Sequence, residues 1–199
     1  MPEMRRVTLS FLRAHEALEH EDLMELALEL WSSPLFDPRR VGLELLVQRS
    51  DEGRVVDLPS LEGMLRTAET WALVDEMAIQ VVGSIVERDA SSLPTLDRWS
   101  VDDDFWIRRS AMLALLEPIR AGAGDFERFG LYADQMLDEK EFFIRKAIGW
   151  VLREAAKKRP SLVYDWLAPR AARASGVTLR EAVKHLSEEQ RSSLLVLRG

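Results

Sequence analysis

The stretch Phe105-Trp-Ile-Arg-Arg-Ser-Ala111 sets two arginines directly behind a tryptophan in an otherwise apolar run, and 37 residues later Phe142-Phe-Ile-Arg-Lys-Ala-Ile148 repeats the arrangement. A third pair of cations stands at Asp37-Pro38-Arg39-Arg40, 69 residues before Arg109. Between them lies Trp71-Ala-Leu-Val-Asp75, in which Asp75 falls 35 residues after Arg40 and 34 before Arg109. A unit recurring every 34 to 37 residues is the mark of a repeat architecture, in which one supersecondary element stacks on copies of itself.

The unit is helical. His20-Glu-Asp-Leu-Met-Glu-Leu-Ala-Leu-Glu-Leu-Trp31 places Leu23, Leu26, Ala27 and Leu30 at the i, i+3, i+4, i+7 spacing of one helix face. Asp37-Pro38 reads as an N-cap with proline at the first helical position, and Asp57-Leu58-Pro59 and Arg159-Pro160 punctuate the chain before new helices. Thr178–Glu181 and Ser187–Gln190 both carry the spacing of a capping box. The sequence has no Asn-Gly or Asp-Gly hairpin dipeptide and no sustained two-residue alternation. The expected fold is all-α: a HEAT-like α-solenoid of stacked antiparallel helix pairs, with one helix of each pair lining a concave groove, as a single domain over residues 1–199. The recurring cations then share that groove.

Composition narrows the chemistry. With no cysteine, disulfides, thiolate metal sites and a cysteine nucleophile are excluded. His15, His20 and His185 form no metal motif, and neither a glycine-rich phosphate loop nor a G-x-S-x-G turn is present. No apolar run reaches the roughly 18 residues that span a bilayer, and the N-terminus lacks the apolar core of a secretory signal, so a cytoplasmic protein without metal or membrane is expected. The net charge of −7 hides a division. Residues 1–104 carry 10 Lys and Arg against 22 Asp and Glu, whereas residues 105–185 carry 15 against 10. That asymmetry points to an anion-binding surface in the second half.

Glu139–Leu167, with its Lys-Ala-Ile-Gly-Trp-x-Leu-Arg-Glu block, closely resembles the AlkD-like alkylpurine DNA glycosylases of the DNA alkylation repair family, and Thr178–Leu186 continues the match. The Trp106-x-Arg108-Arg109 and Trp71-x-x-Val74-Asp75 helices resemble the family's other motifs, so the likeness runs from about Leu23 to Leu186. The resemblance implies further N-terminal helices in the family, so the chain is expected to be short at its N-terminus relative to it. The resemblance implies excision of N3- or N7-alkylated purines from double-stranded DNA, leaving an abasic site, with no cofactor and a monomeric protein. Carried over by position, it implies Asp75 as the catalytic carboxylate, Trp71 and Trp150 as cleft aromatics, and Arg109 as the phosphate-binding arginine. Arg40, Arg145 and Lys146 are further candidate DNA contacts.

The residue types suit the reaction. Trp71 and Asp75, four apart, project from one helix face. Cleaving a glycosidic bond develops positive charge on the sugar, which a carboxylate stabilises while orienting water. An alkylated purine is already cationic and leaves without a general acid. Against this stands a non-catalytic helical module that binds DNA structures or a protein partner. The remaining tryptophans, Trp31, Trp99, Trp106 and Trp166, read as core, and Arg108 as a solvent-facing residue or inter-helix ion pair.

Overall fold

The computed structural model describes residues 2–198, and the elements among them are helical. The chain divides into two compact units, residues 1–93 and 94–199.

The first unit contains α1 (Pro2–Ala14), α2 (His20–Trp31), α3 (Phe36–Gln48), α4 (Leu58–Arg66), α5 (Trp71–Glu76) and α6 (Gly83–Arg88). Helix α5 runs into α6 through a π-helical stretch, Met77–Val82, in which the Gly83 N–H donates to Ala78 O, five residues back. The apolar pattern accounts for it. Leu73, Val74, Met77, Ala78, Val81, Val82 and Ile85 are all buried and recur every four residues. At 3.6 residues per turn a regular α-helix would rotate such a pattern off its core face by about 40° each turn. The wider π turn absorbs the drift and keeps the stripe buried.

The second unit contains α7 (Leu93–Trp99), α8 (Phe105–Leu113), α9 (Leu116–Arg120), α10 (Phe126–Gln135), α11 (Phe142–Ala156), α12 (Pro160–Leu167), α13 (Gly176–Ala182) and α14 (Glu188–Arg198). The first residue of α7 belongs to the preceding unit. Trp99 and Phe129 are fully enclosed, and Ile144, Ile148, Val151 and Leu152 of α11 form the inner stripe of the longest helix.

Side-chain bonds reach across one repeat throughout. In the first unit His20 meets Asp57 (2.8 Å), Trp31 Nε1 donates to Thr67 Oγ1 (2.9 Å), Arg40 pairs with Glu76 and Ser84 donates to Ser50 O (3.0 Å). In the second, Tyr132 donates to Asp97 (2.6 Å), Arg120 to Glu154 (3.1 Å), Lys146 to Glu181 (2.7 Å) and Arg170 to Asp134 (2.9 Å). The partners of these ties are 34 to 37 residues apart, the period seen in the sequence. Arg40–Glu76 in the first half of α3 and of the continuous helix that α5, the π stretch and α6 form, and Arg88 to Ser50 O near the ends of both, show that these two rows run side by side in the same direction.

The capping expectations are met in part. Ser187 and Gln190 exchange the two bonds of a capping box, at 3.1 and 3.2 Å. Helix α13, however, starts at Gly176 with Ser175 as its cap, whose Oγ accepts from Thr178 N; Thr178 lies inside the helix and donates to Arg145 O. Likewise α3 starts one residue before Asp37, with Leu35 at the cap position. Trp31 and Trp99 are buried and Trp106 and Trp166 half-buried, as core or core-edge residues.

Candidate functional site

The paired cations have two different jobs. The first member of each pair bonds a carbonyl six residues back, in the turn that precedes its helix: Arg39 Nε to Ser33 O (2.7 Å), Arg108 Nη1 to Asp102 O (2.6 Å) and Arg145 Nε to Glu139 O (2.6 Å). Arg108 also grips Glu139 with Nε and Nη2, at 3.1 and 2.7 Å, so it is an inter-helix ion pair. The second member reaches forward to the next repeat: Arg40 to Glu76, Arg109 Nη1 to Phe143 O, and Lys146 to Glu181. Recurrence of paired cations is therefore explained at the structural level, because each pair fixes one turn and one neighbouring helix.

Two of the three forward-reaching cations are enclosed. Arg40 is 5% exposed; its guanidinium contacts both Glu76 oxygens at 2.6 and 2.9 Å and Glu44 at 3.1 Å, while Gln48 donates to the far oxygen of Glu44. Here the guanidinium is committed to two carboxylates and turned away from solvent, which does not suit the DNA contact expected of it. Arg109 is 2% exposed and lies over the Phe143 ring, 5.9 Å from its centroid, beside Trp106. Lys146 is the open member, with 41% of its side chain exposed. Its partner Glu181 takes bonds from Lys146, Lys184 and Arg153; the Lys146 hydrogen bond is the largest influence holding that carboxyl down at about 2. Trp150 is half-buried one turn beyond Lys146 on α11.

In the first unit the helix holding Trp71 and Asp75 departs from this plan. By position Asp75 corresponds to Arg40, Arg109 and Lys146, so a carboxylate occupies the slot in which these three repeats carry a cation. Thr70 caps α5 through Ala72 N, Trp71 is the first helical residue with 56% of it exposed, and Asp75 follows one turn later, half-exposed. Glu69, two residues before Trp71, has φ of 56°, a left-handed conformation costing about 1 kcal/mol for a residue with a Cβ. On the other side Asp75 and Glu76 directly precede the π stretch. Glu76 was not among the residues singled out from sequence, yet it is the one Arg40 holds. The four-residue apolar period marks the π stretch in the sequence, and the alignment of Phe36 with Trp71 and Phe142 marks a further exposed aromatic.

Each unit thus brings its own candidates together: Trp71 with Asp75 on one helical turn, and Arg109 with the Phe143–Lys146–Trp150 face of α11. Among the described residues no group of three or more His, Asp or Glu is placed to hold a metal, and no helix is long and apolar enough to cross a membrane.

Parallel rows of helices, offset by one repeat and tied by side chains, define an all-α repeat protein with a tryptophan–carboxylate turn set into it. The sequence matches the family described as DNA alkylation repair enzyme over residues 1–186, and the chain belongs to that family. Its fold is similar to that of a predicted DNA alkylation repair enzyme from Enterococcus faecalis, at 22% identity and a TM-score of 0.84, covering 94% of this chain and 86% of that one. It is also similar to smu.31 from Streptococcus mutans UA159 and to AlkD2 from Streptococcus mutans. Both are 18% identical with a TM-score of 0.71; 94% of this chain is covered in each comparison, with 92% and 90% of the respective partners. No curated protein gives a significant match. Membership of the family implies a role in DNA repair, with DNA as the partner.

Proposed function

We propose that this protein is a DNA glycosylase that hydrolyses the glycosidic bond of N3- or N7-alkylated purines in duplex DNA. The observation that carries the reading is Asp75: an anion where three other repeats place a cation, one turn from an exposed tryptophan. A carboxylate facing a polyanion costs affinity, so its presence calls for a positive charge that appears or is carried there. A cationic alkylpurine and the sugar from which it departs supply that charge. In this reading the bond between C1′ and the purine nitrogen breaks, and the base leaves with the bonding pair, neutralising its own ring. Water adds to C1′ and gives its proton to Asp75 or to solvent. The Trp71 face packs on deoxyribose and holds the sugar beside the carboxylate, and Trp150 is a second such face. Arg145 and Lys146 contact phosphates along α11. Arg109 reaches a phosphate when its guanidinium is released from Phe143 O.

The chemistry needs no metal or cofactor, because the leaving group is activated by its alkyl substituent. The HEAT-like groove would grip an otherwise intact duplex, with the whole chain acting as one cytoplasmic, monomeric domain. Within the second reading, a helical module that binds DNA structures or a protein without chemistry, enclosure of Arg40 and Arg109 favours the protein partner, since buried guanidinium groups are poor first contacts for phosphate.

The deciding experiment is release of base from a duplex containing N7-methylguanine by the wild-type chain and by Asp75→Asn. Release by the wild type that the isosteric substitution abolishes, with duplex binding retained, supports the glycosylase. Duplex binding without release selects the non-catalytic module.

A further inference from the structure

Among the described residues the exposed phenylalanines, tyrosines and tryptophans are Phe36 (47%), Trp71 (56%) and Phe142 (54%). Each is the first residue of a helix, α3, α5 and α11, at the same point of the repeat. A large ring left in water forgoes the stabilisation that burial would give, and random scatter would not leave rings at one repeat position three times. Within the first unit the placement is tighter still. The Arg40–Glu76 pair fixes the register of α3 against α5, so Phe36 and Trp71 stand at the same end of two neighbouring helices that run in the same direction. Leu35, 66% exposed, extends the apolar ledge from Phe36. Arg39 locks the turn beneath it by donating to Ser33 O and to Thr67 O, both at 2.7 Å.

We propose that Phe36, with Leu35, is a second DNA-contacting step one repeat upstream of Trp71, packing on the apolar face of a deoxyribose along the same strand. The inference rests on the reading in which Trp71 meets the sugar of the damaged nucleotide. Packed helices are spaced about 8–10 Å apart and successive nucleotides of one strand rise about 3.4 Å, which sets Phe36 two to three nucleotides from the lesion. The neighbours decide what part of DNA is met. Asp37 follows the ring and Glu69 precedes Trp71, both carboxylates that repel phosphate, so the ledge suits the uncharged sugar. It is therefore a contact that lengthens the grip on the strand without adding a phosphate bond.

The test uses the full chain and a fluorescein-labelled, undamaged duplex, with affinity measured by anisotropy over a series of salt concentrations. Phe36→Ala is expected to weaken binding about five- to tenfold. The dependence on salt should stay that of the wild type, because no phosphate contact is lost. Phe36→Trp is expected to restore the affinity, and the rate of N7-methylguanine release at saturating protein should be that of the wild type in both variants. Unchanged affinity for Phe36→Ala in a wild-type background that binds duplex overturns the inference and assigns the ledge to another partner. A flattened salt dependence also overturns it, since the ring would then be supporting a phosphate contact. Failure of the wild-type chain to bind duplex at any salt sinks the glycosylase reading itself, a result distinct from either.

Discussion

Residues 1–93 and 94–199 lay helices side by side on the same plan, with ties one repeat long, yet they differ in what stands at one recurring position. In 94–199 that position holds Arg109 and then Lys146, each bonded forward to the next helix. In 1–93 it holds Arg40, bonded forward in the same way, and then Asp75. The charge balance follows: 9 Lys and Arg against 18 Asp and Glu in the first unit, 18 against 16 in the second. A repeat supplies its own control. Cations that recur and pair with the next helix tie the repeats together whatever else they contact, and the departure at Asp75, between a left-handed Glu69 and a π stretch, is where chemistry is to be sought. The largest effect should accordingly come from Asp75→Asn, with base release falling by about three orders of magnitude or more, roughly 4 kcal/mol of barrier. Loss of less than about tenfold in single-turnover release would remove Asp75 from the chemistry and return the two units to equivalence.

Next in size is the contrast between an enclosed and an open member of the same series. Arg40→Met leaves Glu44, 6% exposed, and Glu76 without their cation, and such removals cost about 3 kcal/mol. Lys146→Met breaks a pair whose cation is 41% exposed and should cost less than about 1 kcal/mol. Urea denaturation of the two variants checks the difference. Equal losses would mean that burial does not separate the two ties and that Arg40 is no more scaffold than Lys146.

These comparisons show what could be read from the residues alone. The period, the helical class and the family were legible, because side chains recur in the sequence as they do in space. The division of labour within each cation pair was not. Four of the six acceptors that define it are backbone carbonyls, Ser33 O, Asp102 O, Glu139 O and Phe143 O, and a carbonyl leaves no mark in a sequence. An arginine on an apolar helix likewise reads equally as a phosphate ligand or an inter-helix tie, and Arg40 is bonded as a tie, to Glu76 and Glu44. Trp71 and Asp75 were singled out through the family resemblance, with their spacing of four placing both on one helix face, and the fold adds that the tryptophan is open to solvent. The π stretch was present as an apolar period of four, but such a period is ambiguous until the helix on both sides is known to be continuous.

A third prediction concerns pH and belongs to the second unit. Glu181 is held at about 2 by Lys146 first, then Lys184 and Arg153, against 4.5 for a free glutamate. A carboxyl whose folded value is depressed contributes stability that is complete above 4.5 and is lost as pH falls from there through about 2. Glu181→Gln should therefore cost about 2 kcal/mol near neutrality, and the gap from the wild type should close across that acid window. Thermal melts at stepped pH would show it; a gap of constant width would mean that the charges on Glu181 contribute nothing and only its packing matters.

The smallest effects compare two glycines inside helices. A Cβ on Gly149 of α11 would lie 2.8 Å from Glu181 Cβ and 2.9 Å from Thr178 O on α13, and neither neighbour is a flexible chain end. A Cβ on Gly63 of α4 would meet nothing within 4 Å. Gly149→Ala should therefore destabilise by about 1.5 kcal/mol, through overpacking where α11 and α13 touch. Gly63→Ala should stabilise by about 0.5 kcal/mol, by restricting the unfolded chain. Opposite signs in chemical denaturation would locate the close helix contact of the second unit at Gly149. The same sign for both would show that α13 can move aside, and that the Lys146–Glu181 tie, rather than backbone approach, sets the spacing of those two helices.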